Sequence, residues 1–243
     1  MRRLIVVIAV LGLMLSALPA FAWTGILSTP THPNHASHDG SLVYGGGWEP
    51  ALLSWDVTQV NSNVYRYEYT LEIASTAGGD ISHMILELTD DDFYRDFTYP
   101  SMDMFNLERW DGQSWVPWAP ILNVDKHKAT IGGANPDMPT DMWGVKFDEL
   151  TGMSITWRFD AYRLPVWGDF YSKDGGAPGA EKYLYNAGFA LADPADPPSD
   201  GSINDHILRP NGRTPELAPS ILMGMSMLPF GIAYVRGRRR RET

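Results

Sequence analysis

The stretch Val64-Tyr65-Arg66-Tyr67-Glu68-Tyr69-Thr70-Leu71-Glu72-Ile73 alternates apolar and polar side chains along its length. In an extended chain Tyr65, Tyr67, Tyr69, Leu71 and Ile73 fall on one face, and Arg66, Glu68, Thr70 and Glu72 on the other. A helix would scatter both sets around its axis, so the pattern predicts a strand with one aromatic, buried face and one wet face. Asn61-Ser62-Asn63 are turn formers immediately before it, and Ala51–Val60 is a second apolar-rich run. Together they predict an antiparallel hairpin. Ala77-Gly78-Gly79-Asp80 then turns the chain into Ile81–Leu88, a predicted third strand with Met84, Leu86 and Leu88 opposite His83, Ile85 and Glu87.

The same signals continue outward. Trp110-Asp111-Gly112-Gln113-Ser114-Trp115 sets Asp-Gly between aromatic residues, the mark of a tight turn between two short strands. Ile121–Val124, Ala129–Ile131, Trp143–Phe147, Met153–Phe159, Val166–Tyr171 and Tyr183–Phe189 supply further strands, and Ile203–Leu208 a last edge strand. Pro100–Arg109 is predicted as a short helix, and Gly45-Gly46-Gly47 as a turn or bulge. Strands at this spacing, joined by Gly, Pro, Asn and Asp, predict an all-β protein: an antiparallel β-sandwich over residues 23–209.

Composition agrees. Nine Trp and eleven Tyr favour strands. The absence of cysteine excludes disulfides, thiol catalysis and thiolate-bound zinc. With the arginines of the two ends and Glu216 and Glu242 set aside, the body keeps 12 basic against 27 acidic side chains. That excess repels phosphate backbones, so nucleic acid is not an expected partner.

The two ends are apolar and flanked by arginine. Arg2 and Arg3 precede the apolar run Leu4–Leu15, and Ala20-Phe21-Ala22 then offers the small residues a signal peptidase requires. Residues 1–22 therefore read as a signal peptide, with cleavage after Ala22 leaving Trp23 first. Residues 210–216 read as a tether. Leu217–Val235, 19 residues without a charge, is long enough for a transmembrane helix. Arg236, Arg238, Arg239, Arg240 and Arg241, in the basic tail 236–243, would hold its end on the cytoplasmic side.

Thr214-Pro215-Glu216-Leu217-Ala218-Pro219, followed by this span, the arginine cluster and the end of the chain, resembles the PEP-CTERM sorting signal of Gram-negative bacteria. Pro215 and Glu216 match its short motif directly; Leu217 stands at the usual third proline, and Pro219 follows two positions later. The resemblance implies recognition by an exosortase, a membrane-embedded cysteine transpeptidase-like enzyme. It implies a non-enzymatic exported protein of the envelope or extracellular matrix, linked to exopolysaccharide or biofilm, and attached to the membrane at least transiently through its C-terminal helix. Three phrases of the body, Gly79–Glu87, Trp167–Gly175 and Asn186–Phe189, also look like those in exported proteins with this class of signal.

Several constellations carry possible chemistry. His32, His35 and His38 could gather on a transition metal, but Pro33 and the lack of apolar anchors favour a mobile polar arm. Asp90-Asp91-Asp92 and the Asp193–Asp205 loop are oxygen-rich enough for calcium, without the alternating spacing of a helix-loop-helix site; solvated turns explain them as well. Trp110, Trp115 and Trp118 could form a platform for sugar rings or serve as core and hairpin aromatics, which makes a carbohydrate-binding module the alternative function. No G-x-S-x-G, H-E-x-x-H or phosphate-cradling glycine loop is present, so a hydrolase is the third reading. The sequence assigns no catalytic residue, metal ligand or cofactor.

Overall fold

The computed structural model describes residues 21–73, 79–88, 104–129, 134–148, 150–175 and 181–211. Among them the chain forms fourteen strands and no α-helix. These are β1 (Ala22–Ser28), β2 (Gly40–Gly45), β3 (Ala51–Asn61), β4 (Val64–Ile73), β5 (Ile81–Glu87), β6 (Phe105–Trp110) and β7 (Trp115–Pro117). They continue with β8 (Ile121–His127), β9 (Met142–Asp148), β10 (Ser154–Ala161), β11 (Pro165–Gly168), β12 (Phe170–Asp174), β13 (Tyr183–Asn186) and β14 (Ile207–Pro210). Twelve of them make one mixed sheet in the order β7-β6-β10-β4-β3-β1-β2-β13-β12-β5-β9-β8, while β11 and β14 pair as a separate ribbon.

Alternation along β4 does what the sequence predicts. Tyr65, Tyr67, Tyr69, Leu71 and Ile73 are all buried. On the other face the register places Arg66 opposite Asp160, Glu68 opposite Arg158 and Thr70 opposite Thr156. Each pair is complementary: Arg66 Nε donates to Asp160 Oδ1 at 2.8 Å, and the two threonine hydroxyls lie 2.9 Å apart. A slip of one residue would bury these charges and expose the tyrosines, so the pattern fixes the register. The hairpin of β3 and β4 forms around Ser62 and Asn63, with Asn61 Oδ1 accepting the Asn63 amide at 3.1 Å.

The two ends of the sheet order share one core. Tyr67, Tyr69, Trp157 and Phe159 from β4 and β10 belong to the same buried cluster as Met84, Leu86, Val145 and Phe147 from β5 and β9. The Phe147 and Trp157 rings are 6.3 Å apart. Tyr69 stacks on Trp157 at 5.1 Å and donates its hydroxyl to the Leu208 carbonyl at 2.9 Å, tying the ribbon to the sheet. A second cluster of Ile85, Met138, Met142, Tyr171 and Phe189 covers the opposite face of β5 and β12.

The structure corrects several expectations. Ile81–Leu88 forms a strand over Ile81–Glu87, and β5 pairs with β12 and β9, while the free edge of β4 is taken by β10. Its face bearing His83 and Ile85 is buried as well, because the second cluster lies over it. Phe105–Arg109 is strand, not helix: β6 pairs with β10, where Arg158 Nε donates to Glu108 Oε2 at 2.7 Å. Tertiary pairing overrides the weak local preference there. The arrangement is not purely antiparallel, since β1 meets β2 in parallel through Leu27–Gly40 and Ser28–Ser41. Val166–Tyr171 is broken at Asp169, where the chain passes from the ribbon to the large sheet. Tyr183–Phe189 ends in a 3₁₀ turn, Ala187–Ala190, and the last strand among the described residues is Ile207–Pro210.

Candidate functional site

The break at Asp169 is the centre of a buried polar cluster. Glu87 comes from the end of β5, Asp169 from the joint between β11 and β12, and Asn186 from the end of β13; His206 precedes β14 and Arg209 lies within it. Asp193 reaches in from the long loop that links Ala190 to β14. Asn186 Nδ2 donates to Asp169 Oδ1 at 2.6 Å and to the Asp205 carbonyl at 3.0 Å. The Asn186 oxygen accepts the Phe170 amide at 2.9 Å. Glu87 Oε2 accepts the Asp169 amide at 2.8 Å and lies 3.2 Å from Arg209 Nε, while Arg209 Nη2 donates to Asp193 Oδ2 at 2.9 Å.

His206 has 0% exposure. Its Nδ1 faces the Ile203 carbonyl at 3.2 Å and, donating there, turns the lone pair of Nε2 toward the acids. Nε2 lies 3.6 Å from Asp169 Oδ1 and 3.7 Å from Asp193 Oδ1, with no hydrogen-bond partner. The backbone leading into it is unusual: Asn204 and Asp205 both have positive φ, at 50° and 61°. Asn and Asp are the non-glycine residues that most readily adopt this left-handed conformation, and the turn they form leads directly into His206.

Electrostatics follow from burial. Desolvation pushes the Glu87 carboxyl up to about 7, against the pull of Arg209 and with a further push from Asp193 and Asp169. Desolvation also lifts Asp169 to about 7, opposed by its hydrogen bond from Asn186. Three carboxylates thus face one guanidinium and one imidazole, an arrangement with an excess of negative charge when all three acids are ionised.

Two glycines make room for this cluster. A Cβ on Gly168 would overlap Arg209 Nε and Glu87 Oε2, and one on Gly188 would overlap the Asn204 carbonyl and the His206 ring. Glu87, Gly168, Asp169, Asn186 and Gly188 all belong to the three phrases Gly79–Glu87, Trp167–Gly175 and Asn186–Phe189. Those phrases are separate in sequence, and the fold brings them to one point. Sequence alone gives them no role; the signal it offers is a polar residue at the end of an apolar strand, repeated in all three.

The residues singled out from sequence are more dispersed. Ala22 and Trp23 open β1, where Trp23 pairs with Val57 and its ring lies 6.4 Å from that of Tyr65. Ala20, the motif Pro215, Glu216, Leu217 and Pro219, the arginines from Arg236 to Arg241, and Asp90-Asp91-Asp92 lie outside the described residues. So does the predicted span Leu217–Val235; among the described residues no helix is long and apolar enough to cross a membrane.

His32, His35 and His38 do not form a loose arm. His32 is buried, His35 Nδ1 lies 3.0 Å from Ser28 Oγ, and the His35 and His38 rings stack at 3.8 Å around a 3₁₀ turn, His35–Ser37. The carboxylates of the Asp193–Asp205 loop point in different directions. Asp200 Oδ1 accepts the Thr24 amide at 3.1 Å and Asp205 Oδ1 the Ser41 amide at 2.7 Å, so they anchor the loop to β1 and β2.

The three tryptophans divide. Trp118 stacks on Phe147 at 5.7 Å against the core, and Trp115 lies under the Arg158 guanidinium at 4.0 Å. Trp110 is 43% exposed. Trp110 and Trp118 line a groove of about 260 Å³ with Arg109, Asp111, Leu150 and Ser154.

Comparison with protein-family models, with curated proteins and with solved structures finds no match.

Proposed function

We propose that the chain is a non-enzymatic exported protein whose β-domain is carried through the general secretion route and placed at the cell envelope or in the extracellular matrix of a Gram-negative bacterium. A signal peptidase would release it at Trp23, and an exosortase would act at Pro215 and Glu216. The observation that carries this reading is that the described strands, from β1 at Ala22 to β14 at Pro210, lie between the two apolar ends of the sequence. Cleavage after Ala22 would remove the pairing of Ala22 with Thr58 and leave Trp23 to Ser28 paired with β3. We read the body as a β-sandwich whose halves face each other through Phe147 and Trp157, joined by the short parallel contact of β1 with β2.

The test is replacement of Pro215 and Glu216 by alanine in the native host. A sorting signal needs those residues as a recognition element, so the double variant stays longer and membrane-retained while the wild type is processed. Identical mass and location for both would reduce the tail to a passive anchor.

A second reading, a carbohydrate-binding module on the same anchor, is favoured by the groove between Trp110 and Trp118. Its aromatic walls and the polar Arg109 and Asp111 suit a sugar ring, which needs an apolar face and hydrogen-bonding edges. A glycan array on the purified protein distinguishes the two: saturable binding lost in Trp110→Ala supports the module, and no binding supports the structural role.

A further inference from the structure

We infer that Asp169, Asp193 and His206 bind a zinc-class divalent metal ion. One ligand atom from each of the three lies within 4.8 Å of the others. The imidazole is decisive. His206 Nε2 is fully buried, lacks a hydrogen-bond partner, and is aimed between two carboxylates. Its distances to them, 3.6 and 3.7 Å, are too long for hydrogen bonds. They are the separations expected of atoms that share a metal at roughly 2.0–2.2 Å from each.

The surroundings have the form of a metal site's outer shell. A metal-binding histidine donates its other ring nitrogen to a carbonyl, and His206 Nδ1 faces that of Ile203. Ligating carboxylates are themselves held, and here Asn186 holds Asp169 while Arg209 holds Asp193. With Glu87, the cluster sets three carboxylates against one guanidinium, and a divalent cation would balance the charge. A nitrogen in the set selects zinc-class metals over calcium, which takes oxygen ligands in larger number. The Asp193 side chain is 34% exposed, so the site opens to solvent on one side and leaves room for water to complete the coordination. Bound there, the ion clips the loop carrying Asp193 and the turn carrying His206 to the joint at Asp169.

The test uses the full chain, purified after export in detergent, stripped with a chelator and titrated with Zn²⁺ by calorimetry. One equivalent should bind with a rise in melting temperature, and Co²⁺ in its place should give a visible absorption band. Asp193→Asn and His206→Gln should each weaken binding by at least about 10-fold. His35→Gln with His38→Gln, which removes two half-buried imidazoles outside the cluster, should leave it unchanged. Should His206→Gln fail to fold, Asp193→Asn carries the test, with circular dichroism as the check on its fold. No stoichiometric uptake, or uptake that survives Asp193→Asn and is lost with His35 and His38, would overturn the assignment. Binding of Ca²⁺ as tight as that of Zn²⁺ would overturn the zinc-class selectivity.

Discussion

Acidification should destabilise the protein through His83, and the amount follows from its surroundings. The ring is buried on β5 beneath Tyr171, and Nε2 lies 3.1 Å from Asn135 Oδ1. Asn135 donates its own amide to the Lys128 carbonyl at 3.1 Å, which points its oxygen at the histidine and makes Nε2 the donor. Desolvation, then the charge of Lys146, lowers the pKa from 6.5 to about 4, against smaller upward contributions from Asn135 and Asp148. The unfolded chain therefore takes up a proton near the ordinary histidine value while the folded chain resists it. Stability from this group is full above that value and is lost as pH falls toward about 4. At 1.36 kcal/mol per unit the span corresponds to on the order of 3 kcal/mol. Urea unfolding followed by tryptophan fluorescence, at pH steps from neutrality downward, measures it in wild type and His83→Gln. Glutamine keeps a neutral donor for Asn135 and cannot titrate. The wild type should lose about 3 kcal/mol more than the variant across the acid range. Parallel curves for the two proteins would refute the reasoning, since every other acid-sensitive group is common to both.

Alkaline conditions should expose a second set. Burial holds the Tyr67 and Tyr69 hydroxyls well above the usual tyrosine range, so their stability contribution is present below about pH 10 and is lost as pH rises through the folded values. An ultraviolet titration should show them ionising only with unfolding; smooth ionisation with the exposed tyrosines would contradict their burial. Tyr69→Phe removes the hydroxyl that holds Leu208 and should cost about 1–3 kcal/mol in a denaturant melt, with no change if β14 is not docked there. Trp157→Ala should cost about 3–5 kcal/mol and Trp110→Ala about 0.5 kcal/mol or less, as the first is 2% and the second 43% exposed. Gly168→Ala should destabilise by about 1–3 kcal/mol through its overlap with Arg209 and Glu87, and a neutral result would show that the ion pair yields easily.

The sequence by itself determined the all-β class, the hairpin of β3 and β4, the Asp-Gly turn between β6 and β7, and the alternation of β10. These depend on interactions within a few residues: side-chain period, turn chemistry and β-branched or aromatic content. Glu68 and Arg158 are wet in the pattern and are paired in the structure because the period that buries Tyr67 and Phe159 also lines up their partners.

Tertiary structure alone decided which strands are neighbours. Ile81–Glu87 reads as the successor of β4, yet β10, from much later in the chain, takes that edge, and a second apolar cluster covers the face of His83. It also decided the candidate site. Glu87, Asp169, Asn186, Asp193, His206 and Arg209 come from five separate segments, and no spacing in one segment predicts a neighbour in another. The burial of Asp169, Asn186, His206 and Arg209, the charge balance of the cluster and the unpartnered nitrogen of His206 arise only when those segments meet, because desolvation belongs to the folded interior and not to the residues themselves.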